Sequence, residues 1–330
     1  MPRVVSRTVR RRVLQGSAAL AVVCGLLLWW LLPLGGSSPG GTLTISTGVN
    51  TGVYQRYGDL LQGALAKDLP RVSIVLRASE GSQQNLDRLV RGEADYAIAT
   101  ADAVAKYRQD AKPGADRLRA CARLFDDYVQ LIVPKGSSVR TPADLRGKRV
   151  GVGQEGSGVR IIADRVLAAA GAEHHVTAVA AGIDTMPQLL EKGELDAFFW
   201  SGGLPTGAVQ TLAGRFPIRL VPVEDGLISK VQGSGEATRY YHGAVLPTDA
   251  YPKMASKEPV KTVAVANLLV TTDRADPELA ERITRTVINS RDRIGHEVHP
   301  AQLVDLRTAI YTDPLPLHEG ARRYYRSVKP

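Results

Sequence analysis

The chain has 330 residues, enough for roughly two domains, and its 44% hydrophobic and 23% charged residues are the balance of an ordinary folded protein rather than a disordered one. The formal net charge of +9 is unevenly placed, because Arg3, Arg7, Arg10, Arg11 and Arg12 all precede residue 35 with no acid among them. The rest of the chain carries 37 Lys+Arg against 33 Asp+Glu, a net +4 too thinly spread for the concentrated basic face of a nucleic-acid binder.

Residues 1–12 read as a basic cytoplasmic segment and residues 13–34 as an uncharged apolar run. That run is long enough to cross about 30 Å of hydrocarbon as a helix. Trp29 and Trp30 stand near its outer end, where amphipathic rings favour the membrane interface. Arginines on the inner flank predict that everything after Leu34 lies outside. The segment is expected to be a transmembrane anchor, with a cleaved signal sequence as the alternative. Of the two cysteines, Cys24 lies within the apolar run and Cys121 reads as a small buried hydrophobe, so no disulfide and no metal site are expected. Residues 35–41 are rich in Gly, Ser and Pro and form a short tether.

From Thr42 one pattern recurs: a short β-rich run, a Gly/Ser loop, then an amphipathic helix. Strands are predicted at 43–47, 72–78, 95–99 and 128–133, with helices at 53–67, from Ser82 to about Val90, and after Asp102. The rhythm restarts past Lys135, with strands at 149–153, 176–180 and 195–200 and helices at 159–170 and near Pro205. Alternation of this kind predicts parallel sheets covered by helices, with the strand-to-helix loops gathered at the carboxyl edge where open α/β sheets bind ligands. Four of those loops, 48–52, 79–82, 154–158 and 201–203, carry Gly with Ser or Thr. A helix N-terminus offers unpaired N–H groups and partial positive charge, glycine lets the backbone approach, and hydroxyls add donors. Such loops suit a carboxylate or another anionic group.

Several patterns resemble catalytic motifs without their context. Gly151-Val152-Gly153-Gln154-Glu155-Gly156 is a formal GxGxxG between a strand and a helix, with Asp184 beyond the next strand. It sits mid-chain, and an exported protein meets little dinucleotide. Ser157 and Ser201 stand on Gly-rich turns, but neither fits a nucleophile elbow. His174-His175 and His296/His299 lack metalloprotease spacing and read as solvated or capping residues. Glu191, Glu194 and Asp196 read as a solvated helix end and strand start. No acid–base pair emerges, so an enzyme is not expected.

The loops together resemble the TAXI family, solute receptors of one branch of the TRAP transporters. Thr47-Gly48, with Gly52-Val53-Tyr54, is similar to the family's opening Gly-rich segment. Gly81-Ser82-Gln83-Gln84-Asn85-Leu86 followed by Gly92-Glu93-Ala94-Asp95-Tyr96-Ala97-Ile98 matches a second segment. Gly147-Lys148-Arg149-Val150 with Gly153 and Gly156-Ser157-Gly158 matches a third, and Leu195-Asp196-Ala197-Phe198-Phe199 with Gly202-Gly203 and Pro205 a fourth. The resemblance runs over about residues 42–330. It departs at Val49-Asn50, where the family has more glycine, at Val159, where threonine is common, and at the large Trp200.

The resemblance implies a two-lobed α/β type II periplasmic-binding-protein fold with two hinge strands, here joined to an N-terminal membrane-spanning helix. Lobe I is expected at 42–133 and 256–330, lobe II at 134–255, and the hinges at 128–134 and 261–270. By position, ligand contacts carry over to Thr47, Gly48, Thr51, Tyr54, Ser82, Asn85, Asp102, Gly156, Ser157, Gly158, Gly203 and Pro205. Asn85 and Asp102 are expected to read a donor group such as an ammonium or amide, and Arg77 and Arg160 are candidates to pair a carboxylate. The implied solute is glutamate-, glutamine- or dicarboxylate-like, bound without cofactor or metal and delivered to a TRAP-type permease. A membrane-tethered sensor and an exported enzyme on the same fold are the alternatives.

Overall fold

The computed structural model describes residues 40–254, 258–303 and 305–328. The segments 1–12 and 13–34, Cys24, the interfacial tryptophans and most of the tether lie outside them. No helix among the described residues is long and apolar enough to cross a membrane.

Ten strands form one mixed sheet: β1 (Gly41–Ser46), β2 (Val72–Arg77), β3 (Tyr96–Thr100), β4 (Leu118–Pro134), β5 (Arg149–Gly151), β6 (Thr177–Val179), β7 (Ala197–Gly202), β8 (Ile218–Val221), β9 (Tyr241–Leu246) and β10 (Val260–Thr272). The main path runs β2-β1-β3-β10-β4-β7-β5-β6. At one end β1 pairs in parallel with β2 and β3, and at the other β5 pairs in parallel with β6 and β7. Between these parallel ends, β4 and β10 run antiparallel to each other and to every neighbour. The expectation of purely parallel sheets therefore holds only at the two ends.

The long central strands are the main departure from the sequence reading. β4 begins ten residues before the expected Tyr128 and spans 17 residues. Arg119, Arg123 and Asp126 interrupt its apolar run, yet all three are only half-buried while Leu118, Ala120, Ala122, Leu124 and Phe125 between them are buried. Its first part pairs with β10, and residues 128–132 pair with β7. The two segments expected as hinges thus lie within strands that run on from one parallel end to the other. The ladder between β4 and β10 shifts register between Ala266 and Leu268, which places Asn267 at a bulge. Bulges re-aim the side chain they carry.

Among the described residues, seven helices precede β10: α1 (Val53–Asp68), α2 (Ser82–Arg91), α3 (Ala101–Gln109), α4 (Gly158–Ala169), α5 (Met186–Glu191), α6 (Gly207–Arg215) and α7 (Asp225–Gln232). Three more come after them, α8 (Pro277–Gly295), α9 (Leu306–Ala309) and α10 (Glu319–Ser327). α1 shows why the spacing works: Val53, Tyr57, Leu61, Ala64 and Leu65 recur every three or four residues and form its buried face. The core falls into two apolar clusters. One joins Leu43, Leu61 and Phe125 to Ile283 of α8 and Tyr324 of α10. The other runs from Leu86 and Val104 through Ile132, Phe198 and Phe199 to Val231. Cys121 is fully buried, as read from sequence, and burial pushes its thiol up to about 12.

Candidate ligand-binding site

Four strand-to-helix loops and the end of β7, drawn from both parallel ends of the sheet, converge on one cavity. Gly48, Val49 and Gly52 come from the β1–α1 loop, Glu80 and Gly81 from β2–α2, and Gly153, Gln154 and Ser157 from β5–α4. Gly182 and Ile183 come from β6–α5, and Trp200, Ser201 and Gly202 from the end of β7. The N-termini of α1, α2 and α4 face it through Val53, Tyr54, Ser82, Gly158 and Val159. Gly52 and Gly81, which precede α1 and α2, cap with no side chain. First-turn N–H groups left without caps suit an anion.

The walls touch one another around the cavity. Gly81 sits at φ +130°, and a Cβ there would stand 3.5 Å from the Ser157 Cα. A Cβ on Gly158 would lie 3.4 Å from Ser82 Oγ. Thr51 donates its hydroxyl to Asp184, linking the β1–α1 and β6–α5 loops. Deeper in, Ser82 Oγ accepts from the Thr100 N–H at 3.1 Å and stands 3.3 Å from the Tyr54 hydroxyl. Val49, Val53, Val159, Ile183 and Trp200 supply an apolar wall. Trp200 is held by its Nε1, which donates to Thr206 Oγ1 at 3.1 Å.

The floor is acidic and under-satisfied. Asp127 reaches the cavity from β4, is 3% exposed, and its Oδ1 has no hydrogen-bond partner among the described residues. Its Oδ2 lies 3.4 Å from the Tyr54 hydroxyl, whose single proton also serves Asn267 Oδ1. Asn267 is fully buried, and its Nδ2 has no hydrogen-bond partner among the described residues. Burial pushes the Asp127 carboxyl up to about 7; the neighbouring Asn267 and Tyr54 only partly offset this, and the charges of Asp126 and Asp102 add to it. Burial also holds Tyr54 protonated, well above its usual range, with the charge of Asp127 reinforcing the effect.

Of the residues expected from sequence, Gly48, Tyr54, Ser82, Ser157 and Gly158 line this cavity. The others stand elsewhere. Thr47 and Asn85 are fully buried beneath the loops: Asn85 Nδ2 donates to the Thr47 and Ile98 carbonyls at 2.6 and 2.8 Å, and its Oδ1 accepts from Ser46 Oγ at 2.6 Å. With both hydrogens so used, Asn85 braces the loop and has no donor left for a solute. Asp102 pairs with Arg165 and Tyr241 instead of facing the cavity. Gly156 borders a neighbouring groove with Lys106, Arg160 and Arg165. Gly203 packs against Val53, where a Cβ would come within 2.9 Å, and Pro205 comes two residues later in a cis peptide.

Arg77 and Arg160 do not reach the cavity either, since they pair with Glu93 at 3.2 Å and Asp164 at 2.8 Å. Ser157 Oγ donates to the Gln154 carbonyl at 2.7 Å and accepts the Arg160 N–H at 3.1 Å, the work of a helix cap rather than a nucleophile. Asp127 and Asn267 carry no signal in the sequence. Both lie inside strands with no glycine loop beside them.

Residues 45–328 match the NMT1-like family. The chain belongs to that family. Solved structures with a similar fold include the alkanesulfonate-binding protein SsuA from Xanthomonas axonopodis pv. citri bound to MOPS, 19% identical, with a TM-score of 0.51 over 89% of this chain and 86% of that one. An ancestral arginine-binding protein bound to arginine is 17% identical, with a TM-score of 0.51 over 79% of this chain and 99% of that one. Tv2483 bound to L-arginine is 13% identical, with a TM-score of 0.50 over 78% and 90%. This NMT1-like chain therefore has a mixed α/β fold of the periplasmic-binding-protein kind. At these identities the likeness speaks for the fold alone.

Proposed function

We propose that this chain is an extracytoplasmic, membrane-tethered receptor that captures a small polar solute and presents it to a TRAP-type transporter. The observation that carries the reading is the convergence of four strand-to-helix loops, the end of β7 and three helix N-termini from both ends of the sheet on one cavity. The solute carries a carboxylate or an equivalent anionic head, held by the N–H groups at the starts of α1, α2 and α4 with the Ser82 hydroxyl alongside. Similarity of fold to alkanesulfonate- and arginine-binding proteins supports a binding role over catalysis. The TRAP-type partner rests on the four ordered segments shared with the TAXI receptors, and the tether on the apolar run at 13–34.

In this reading, residues 42–133 with 256–330 form one lobe and 134–255 the other. The contacts of Gly81 with Ser157 and of Thr51 with Asp184 are contacts between lobes, so the described arrangement is a closed one. A solute touching both lobes favours closure by differential affinity, and the transporter reads the closed form. The test is a thermal-shift screen of the full chain against amino acids, carboxylates, sulfonates and sugars. A ligand at a hundred times its Kd stabilises the native state by roughly 2.7 kcal/mol, which is readily seen. A rise with an acid or amino acid, weakened by Ser82→Ala, is expected. Response to none, in protein shown to be folded and ligand-free, sinks the reading.

A further inference from the structure

Among the described residues lining the cavity there is no Lys, Arg or His, while Asp127 and Glu80 are both acids. The cations of the neighbouring groove are already engaged: Lys106 with Asp110 at 2.9 Å, Arg160 with Asp164 at 2.8 Å, and Arg165 with Asp102 at 3.3 Å. A dicarboxylate placed here would set its second charge against Asp127 with nothing to neutralise it. One buried polar atom on the cavity floor, Asp127 Oδ1, has no partner among the described residues, and neither has Asn267 Nδ2 behind it. Native structures rarely leave such atoms unmatched, and each one asks for an explanation.

We propose that the cavity takes a zwitterion, with a protonated nitrogen of the solute donating to Asp127 Oδ1 and its anionic head lying at the helix N-termini. Asp127 then determines specificity. It rejects dianions by repulsion and selects aminated solutes over their deaminated analogues by an ion pair shielded from water. Tyr54, kept protonated, holds Oδ2 and Asn267 in place, so that Oδ1 is the oxygen left for the solute. The apolar wall of Val49, Val53, Val159, Ile183 and Trp200 accommodates an aliphatic body between the two charged ends. The inference rests on the receptor reading, and of the glutamate-, glutamine- or dicarboxylate-like solutes implied by resemblance it keeps the aminated ones, adds aminosulfonates and excludes plain dicarboxylates.

The experiment uses matched pairs on the full chain: leucine with 4-methylpentanoate, glutamate with glutarate, and taurine with ethanesulfonate, each by calorimetry at pH 8. In any pair that binds, the aminated member is expected to bind at least about ten-fold tighter. Asp127→Asn should cost that member about ten-fold or more while leaving the deaminated one within about two-fold. Because Asp127 has no ion-pair partner among the described residues to lose, the variant should melt no lower than wild type at pH 8. Should it melt lower, a second readout on wild type decides: titrations at pH 6.5 in two buffers of different ionisation heat should show net proton release on binding. Equal or tighter binding of the deaminated members, or proton uptake, overturns the zwitterion assignment but leaves the receptor standing. Failure of every pair counts against both.

Discussion

The Arg165 guanidinium meets the Asp102 carboxylate at 3.3 Å, and the Tyr241 hydroxyl donates to the same Oδ2 at 2.5 Å. Asp102 opens α3 at one end of the sheet, Arg165 lies on α4 at the other, and Tyr241 starts β9. Asp102 is almost wholly buried, and its Oδ1 has no partner among the described residues. A buried charge stripped of its counter-charge typically costs about 3–5 kcal/mol, whereas removing both partners costs far less. Arg165→Met is therefore expected to lower stability by about that much. Asp102→Asn with Arg165→Met should recover most of the loss. Urea unfolding of the three variants measures the coupling, and equal losses in the single and double variants would refute it.

Asp127 makes a distinctive contribution to the pH dependence of the free protein. Its carboxyl in the folded chain stands near 7, well above its unfolded value, because of burial. The folded state therefore holds this proton more tightly than the unfolded one. The Asp127 contribution is lost as pH rises from about 4 to about 7 and changes little beyond, by on the order of 4 kcal/mol at most. The groups facing it are Tyr54 from α1, Asp102 from α3, Asp126 from β4 and Asn267 from β10. None of these is a cation that would reverse the sign. Melting temperatures of wild type and Asp127→Asn should coincide near pH 4 and diverge towards pH 7, with the variant the higher. Parallel curves would mean that Asp127 is not buried as described.

Two glycines of the site should fail for different reasons. At Gly153 the backbone has φ +82°, and a Cβ would stand 2.8 Å from the Val159 Cβ and 2.9 Å from Ser157 Oγ. Alanine there is strained and also pushes on the start of α4. At Gly81, φ +130° is equally hostile to a side chain, but the nearest atom is the Ser157 Cα at 3.5 Å, an ordinary contact. Gly81→Ala should cost about 1–3 kcal/mol of backbone strain, and Gly153→Ala more, since its neighbours must also move. Denaturation midpoints order the two, and the reverse order would contradict the packing around Val159.

How far the fold and the site are legible in the sequence depends on what carries the signal. The loops at 48–52, 79–82 and 154–158 announce themselves, because positive-φ glycines and helix-starting residues are local requirements. That is why Gly48, Ser82, Ser157 and Gly158 can be placed at the cavity from sequence. Asp127 and Asn267 are invisible for the opposite reason. Their role comes from the β4–β10 crossing and its bulge, a long-range register that no short window encodes. Asp102 looks like a reader of solute because it opens a helix after a strand. It takes Arg165, 63 residues away, to turn it into a structural anchor.

Asn85 separates bracing from recognition. Its sequence context places it among the solute contacts, but its amide hydrogens go to the Thr47 and Ile98 carbonyls and its oxygen accepts from Ser46. Asn85→Ala takes one partner from each of those buried groups, and a buried group left unsatisfied costs about 1–3 kcal/mol. Loss of stability is therefore expected without any change in which solutes are preferred. Ser82→Ala should do the reverse: Ser82 Oγ faces the cavity, and its loss takes a partner from the Thr100 N–H and the longer contacts from the Tyr54 and Thr100 hydroxyls. Its effect should appear chiefly in affinity, with stability reduced by no more than about 1–3 kcal/mol. The check is to measure the unfolding free energy and the ranking of solutes for both variants. If Asn85→Ala reorders the ranking while remaining stably folded, Asn85 contacts the solute and the cavity extends below the β1–α1 loop.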